Sequence, residues 1–210
     1  MVKTFRINGK PALWLVAVVM LLGGCATKVE VKGDFPKPIL TQRALTVGVY
    51  YPPEFLAYSY QEKSETRSER TIGIGKAQVS LFSTVLPSMF EKVVQVGKPG
   101  EDKLQQELDL VLTVNVDEFQ YTVPKDTKVN MYEVWIKYNL QLFDSQGQLI
   151  ADWILTAYGK TPSEMLKGEG DALNDAMIVA LRDAGASFSL GFDKVPEIKQ
   201  WLAHRKRSSI

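Results

Sequence analysis

One cysteine and one histidine, Cys25 and His204, are the only thiol and imidazole in this 210-residue chain. A Ser-His-Asp or Cys-His arrangement needs a positioned base, and a zinc site usually needs several His or Cys ligands. His204 stands in the polar run His204-Arg205-Lys206-Arg207 near the chain end, where a fixed geometry is not expected. Neither a triad nor a zinc centre can therefore be assembled. The acidic residues Glu169, Asp171 and Asp175 cluster at an expected helix start. Such carboxylates could bind a cation or act as a glycosidase pair, but acids in a first turn are also what the helix dipole favours. Gly73-Ile74-Gly75-Lys76 invites a phosphate-loop reading, yet the Walker spacing is longer and places Ser or Thr where Ala77 stands. The glycines are better read as a tight helix entry. Arg205, Lys206 and Arg207 could touch anionic head groups, although a solubilising tail explains them as well.

Cys25 is distinguished by what precedes it. Lys3, Arg6 and Lys10 make a positive n-region, and Ala12 to Leu22 make an apolar h-region of roughly 11 residues, the length of a secretory signal. That run is too short to span a bilayer, which takes about 20 apolar residues. It ends in Leu22-Gly23-Gly24-Cys25, which resembles the lipobox of bacterial lipoprotein signals: Leu, two small residues, then Cys. The resemblance implies cleavage between Gly24 and Cys25, diacylglycerol on the Cys25 sulfur and an N-acyl chain on the new amino group. Two or more chains give stable anchoring, at about 0.8 kcal/mol per buried methylene. Ala26 follows where Asp would imply inner-membrane retention, so the implied address is the periplasmic face of the outer membrane.

Removing residues 1–24 from the 210 leaves 186, enough for one domain with its own core. Lys3, Arg6 and Lys10 leave with the signal, so 25 basic residues become 22 against 24 acidic ones, and nothing calls for nucleic acid. Once Cys25 is lipidated no thiol remains for a disulfide. Residues 25–42 read as the lipidated N-terminus and a polar, proline-containing tether. About 17 residues of it reach at most roughly 55 Å extended and nearer 23 Å as a coil. A single domain is expected over 43–203, with a basic polar tail over 204–210.

Within the domain, residues 44–51 are β-branched and aromatic and stop at Pro52-Pro53, which predicts a strand. Phe55 to Tyr60 suggest a second strand or edge, and the mixed charges of 61–71 a loop or hairpin tip. Leu81, Val85, Met89 and Val93, flanked by Phe82, Leu86 and Phe90, predict an amphipathic helix over 75–96 that kinks or breaks at Pro87. Three alternating runs follow. Leu108 to Val116 on even positions, Tyr132 to Leu142 on even positions and Leu149 to Ala157 on odd positions each line one strand face, the last two joined by the turn Asp144-Ser145-Gln146-Gly147. Thr161-Pro162-Ser163-Glu164 matches a capping box and predicts a helical turn. Leu173, Met177, Ala180, Leu181, Ala184 and Phe188 predict a second long helix, and Pro196 starts a short last one.

The order predicts an α+β fold: a two-layer sandwich of an antiparallel or mixed sheet of about four to five strands, with two long helices on one face. Aromatic residues exceed what that core requires. Tyr50 and Tyr58 on the early strands, with Phe119, Tyr121 and Trp135 expected on the face opposite the apolar rows, form the candidate partner surface. The architecture over about residues 44–203 resembles small envelope lipoproteins of diderm bacteria, particularly the YajG-like and LptE-like kinds. That resemblance implies a non-enzymatic accessory or assembly subunit of an envelope protein complex, with no cofactor beyond the covalent lipid on Cys25. A carrier or sensor of lipid or lipopolysaccharide is the alternative, and a cell-wall hydrolase a third.

Overall fold

The computed structural model describes residues 27–62, 69–101, 107–164 and 167–208. Cys25 and the segment before it lie outside the described residues. The fold is α+β, as expected, but it carries two sheets. The larger has five strands: β2 (Arg43–Tyr50), β5 (Phe90–Gln95), β6 (Leu110–Thr122), β7 (Met131–Asp144) and β8 (Leu149–Pro162). Their order is β5-β2-β6-β7-β8, with β2 parallel to both of its neighbours and β6, β7 and β8 antiparallel. The smaller sheet sets β1 (Thr27–Glu30) parallel to β4 (Arg70–Gly73), and β4 antiparallel to β3 (Ser59–Glu62).

Helix α1 (Pro53–Leu56) is a single turn, α2 (Gly75–Met89) and α3 (Glu169–Gly191) are long, and α4 (Pro196–Ser208) closes the described chain. Leu81, Phe82, Val85 and Met89 of α2 and Leu173, Ala176, Met177, Ala180 and Leu181 of α3 are all at most 1–2% exposed. They join one core with Leu110, Leu112, Val114, Val134, Ile136, Tyr138 and Leu140 of the large sheet. Each such large side chain contributes about 1.5–3 kcal/mol by leaving water. Inside this core Tyr138 donates to Gln78 at 3.3 Å and Gln78 donates to the Phe55 carbonyl at 2.8 Å, so these two buried side chains are paired. Gly159 lets α3 lie directly on β8, since a Cβ there would stand 2.9 Å from the Ala180 Cα. The expected β7–β8 turn forms, with Gly147 at φ 78° and the Asp144 carboxylate accepting the Gln146 and Gln148 amides at 2.9 Å.

Several expectations are corrected. The helix predicted to 96 ends at Met89, and Phe90–Gln95 pair with β2. Pro87 removes one donor near the end, and Val93-Val94 favour the extended form. Phe55 lies in α1, not on a strand, while residues 59–62 do form one. Thr161 and Pro162 extend β8, because β7 supplies partners down to Met131, and no helical turn starts at Thr161. Leu149 leaves the row it was assigned to: a register shift between Leu142 and Phe143 places it opposite Phe143, and it is 54% exposed. The tail expected from His204 is helical to Ser208, where Arg205 pairs with Asp109 at 2.6 Å and lies over the Trp201 ring.

The tether expected over 25–42 is, in its described part, a strand followed by a strap. Val29, Val31 and Phe35 are buried, and the Val31 amide continues the ladder to the Gly73 carbonyl at 2.9 Å. The strap then runs along α3. The Lys32 amide donates to Asn174 at 2.9 Å, Asn174 donates back to the Lys32 carbonyl at 3.2 Å, and Arg182 donates to the Asp34 carbonyl at 3.2 Å. Gln42 donates to the Pro87 carbonyl at 2.7 Å and Arg43 is ion-paired with Asp193, which fastens the far end. A polar composition concealed apolar residues at 29 and 31 that alternate as a strand should.

Candidate functional site

The five aromatic residues expected to share a surface are distributed over three places. Tyr58, Phe119 and Tyr121 do meet, together with Tyr60: ring centroids are 6.4 Å apart for Tyr58 and Phe119, 5.2 Å for Tyr60 and Phe119, and 5.8 Å for Tyr60 and Tyr121. This cluster lies on the core side, not on the opposite face. The cause is a β-bulge between Val116 and Glu118, which leaves Asp117 without a partner and moves every later odd residue of β6 to the inner face. Phe119 thus pairs with Ile136 and is 5% exposed.

Behind the cluster sits a buried charged side chain. Arg70, on β4, is 6% exposed and donates to the Tyr121 hydroxyl at 3.1 Å. It is ion-paired with Glu62 of β3 at 3.5 Å and with Glu169 of α3. Tyr121 in turn donates to Glu62. Burial, and next the hydrogen bond to the Glu62 carboxylate, push the Tyr121 phenol up to about 12. It therefore keeps its proton at neutral pH and serves as a donor. The chemistry is that of a clamp: one guanidinium joins three elements, and removing it would leave two carboxylates facing a half-buried hydroxyl. Glu169 is thereby used, and Asp175 is ion-paired with Lys167. Among the described residues no group of three or more His, Cys, Asp or Glu is placed to hold a metal ion.

The glycine run is also accounted for. The amides of Ile74 and Gly75 both donate to the Tyr58 carbonyl, at 3.1 and 3.2 Å, and a Cβ on Gly75 would stand 2.8 Å from the Leu56 carbonyl carbon. Two of the amides that a phosphate would need are taken by the chain itself. His204 is exposed on α4, 3.2 Å from an Arg207 nitrogen.

Tyr50 packs apart from the others, on the outer side of the large sheet, with Val94, Val96, Leu108, Val111 and Phe143. Trp135 also lies on the outer side, where its ring meets Tyr158 at 5.2 Å. Around this pair the face is a lattice of polar contacts. Tyr158 donates to Glu133 at 2.5 Å, Lys137 pairs with Asp117 at 2.5 Å, and Asn139 and Gln141 donate to the two oxygens of Asp152 at 2.6 and 2.9 Å. Hydrogen bonding to Asp117 holds Lys137 above its ordinary pKa. Trp135 is 38% exposed, Ile154 47% and Leu149 54%, so apolar groups stand in water among fixed polar ones. A shallow groove of about 370 Å³ runs beside Trp135, between Glu118, Gln120 and Thr122 of β6 and Thr156 of β8. Tyr158 and Ile154 were missed as surface residues, although both occupy even positions of β8, opposite in parity to its buried row.

A second groove, of about 310 Å³, lies on the helical layer. Pro36 to Leu40 of the strap, Leu81 and Val85 of α2, and Gly185 and Leu190 of α3 line it, with Lys37 and Arg182 among its polar groups. Ile39 and Leu190 are exposed there.

No family model matches this sequence, and neither does any curated protein. Among solved structures, protein XCC0632 from Xanthomonas campestris, of the DUF330 family, shares the fold with a TM-score of 0.52 at 13% identity, over 88% of this chain and 100% of that one. A neuraminyllactose-binding hemagglutinin homolog from Helicobacter pylori does so with a TM-score of 0.50 at 16% identity, over 87% of this chain and 100% of that one. A minor lipoprotein from Acinetobacter baumannii is more distant, with a TM-score of 0.41 at 11% identity over 74% and 97% of the two chains. Chains of similar fold thus include the DUF330 protein and the hemagglutinin homolog. Among the described residues no helix is long and apolar enough to cross a membrane.

Proposed function

We propose that this chain is a non-enzymatic lipoprotein, held through Cys25 at the periplasmic face of the outer membrane, that serves as an accessory or assembly subunit of an envelope protein complex. The observation that carries the reading is the outer face of β7 and β8, where Trp135, Tyr158, Ile154 and Leu149 stand exposed or half-buried within a prearranged polar lattice. Exposed aromatic rings held by fixed hydrogen bonds lose little side-chain entropy on binding, which suits a protein partner. The lipobox resemblance supports the anchor. The acid–base groups of the interior support a structural role, because Arg70, Glu62, Tyr121 and Glu169 satisfy one another. The test is in-cell photocrosslinking from position 154 followed by mass spectrometry of the adducts. A reproducible envelope protein is expected, and recovery of monomer alone refutes the proposal.

The groove between the strap and the two long helices favours a second reading, a carrier or sensor of lipid or lipopolysaccharide. Its lining is chiefly apolar, and Lys37 and Arg182 could meet a phosphate. Native mass spectrometry of protein extracted from membranes decides this: bound lipid supports it, and clean apo protein refutes it.

A further inference from the structure

Only Ala26 separates Cys25 from Thr27, where β1 begins. Two Cα steps of about 3.8 Å keep Cys25 within roughly 8 Å of that strand. The strand itself is fixed, since it is in register with β4 from Thr27 opposite Arg70 to Glu30 opposite Gly73, and the strap behind it is bonded to α3. A lipid on Cys25 would therefore be attached to one definite end of the domain.

That end can be read from the pairing. Arg70 lies beside Thr27 in the small sheet, and its side chain reaches Tyr121 near the end of β6 and Glu169 at the start of α3. The connection from β6 to β7, residues 123–130, follows Tyr121 directly. It is an ordered loop: Asp126 donates to the Val123 carbonyl at 2.9 Å, Thr127 bridges to Val129, and the Ser163 amide donates to Asn130 at 3.1 Å. Lys125 and Lys128 are exposed on it, and Val129 between them and Asn130 is 55% exposed. The acidic neighbours Glu62 and Glu169 are occupied by Arg70, and Asp126 lies on the loop itself. The β7–β8 turn is at the opposite end of β7, 14 residues or roughly 45 Å away.

We propose that the β6–β7 end is the membrane-facing end of this lipoprotein, with Val129 at headgroup level and Lys125 and Lys128 on the phosphates of phospholipid headgroups. This rests on the reading of Cys25 as the lipidated residue. The short link selects a bilayer as the occupant: with the acyl chains inserted, this loop stands within about one Debye length of the charged surface, roughly 8 Å in physiological salt. The long strands then point away from the membrane and present the outer face of β7 and β8 sideways.

Depth-dependent quenching tests the orientation on the full lipoprotein. Because Cys25 is the sole cysteine and on that reading its sulfur is alkylated by diacylglycerol, Val129→Cys or Gln146→Cys supplies the only free thiol for an environment-sensitive fluorophore. Each labelled protein is reconstituted into vesicles of phosphatidylcholine and phosphatidylglycerol with brominated acyl chains. Quenching at 129 is expected to exceed that at 146 at least about twofold, and to fall when Lys125→Glu and Lys128→Glu are added. Equal quenching at the two positions, or an unquenched 129 because a protein covers that end, overturns the proposal. Intact mass separates the two levels: protein without the diacylglycerol mass defeats the anchor and the orientation together, whereas lipidated protein with equal quenching defeats the orientation alone.

Discussion

Gly159→Ala should destabilise the protein, against the usual sign for such a change. Replacing glycine where the backbone tolerates it ordinarily adds about 0.4–1 kcal/mol by restricting the unfolded chain. In β8, however, the new methyl would overlap the Ala176 carbonyl oxygen and the Ala180 amide nitrogen and stand 2.9 Å from the Ala180 Cα. These are helix backbone atoms that cannot rotate aside, so α3 must move outward by on the order of 1 Å. A gap of that size forfeits a quarter to a half of each dispersion contact across the interface, and overpacking alone costs about 1–3 kcal/mol. The sum is about 2–4 kcal/mol, or roughly 4–16 °C in Tm for a domain of this size. Thermal and urea unfolding of the purified protein, followed by tryptophan fluorescence, measures it. Gly191→Ala is the control: a Cβ there meets nothing within 4 Å, and the change should be neutral or add about 0.5 kcal/mol. A Gly159→Ala protein as stable as the parent would refute the direct seating of α3 on β8.

Phe119→Ala, which empties the ring contacts with Tyr58 and Tyr60, should cost about 3 kcal/mol, whereas a surface aromatic at that position would cost almost nothing, and the urea midpoint tells the two apart. Tyr121 has its folded pKa raised above the ordinary value of 10, to about 12, so its stabilising contribution is fully present below pH 10 and is lost as pH rises through 12. Tyr121→Phe should make unfolding less steep in that window, measured as urea midpoints at about pH 9 and about pH 11; an unchanged slope would count against the buried phenol. Cys25→Ala should abolish incorporation of labelled palmitate and leave the precursor uncut, and a labelled variant would sink the anchor assignment.

The β6, β7 and β8 strands and α3 were legible because their periods are local and long: an alternation over a dozen residues, or a stripe from Leu173 to Phe188, has one reading. The turn at Gly147 was legible for the same reason. What escaped depends on partners far away in sequence. Asp117 is unremarkable until β7 pairs on both sides of it, and only that pairing reveals the bulge that turns Phe119 and Tyr121 inward. Val29 and Val31 are two apolar residues in a polar stretch, and their burial is decided by β4 and α3. Arg70 sat in a loop-like run of charges, and its partners Glu62, Tyr121 and Glu169 come from three elements. Of the five candidate surface aromatics only Trp135 is exposed at the site proposed, and its companion Tyr158 required the β7–β8 register.

The strap has a consequence in time. Its bonds to α3 and the Arg43–Asp193 ion pair join residues 142 to 150 positions apart, from Lys32 with Asn174 to Arg43 with Asp193. Whenever the chain emerges N-terminus first, from a ribosome or through a translocase, the contacts of residues 32–34 with α3 and of Arg43 with Asp193 must wait for almost all the rest. During that interval Val29, Val31 and Phe35 are uncovered, and any holdase that binds apolar, extended chain has its window there. Closure of the strap on α3 therefore depends on residues that emerge late, Asn174 and Arg182.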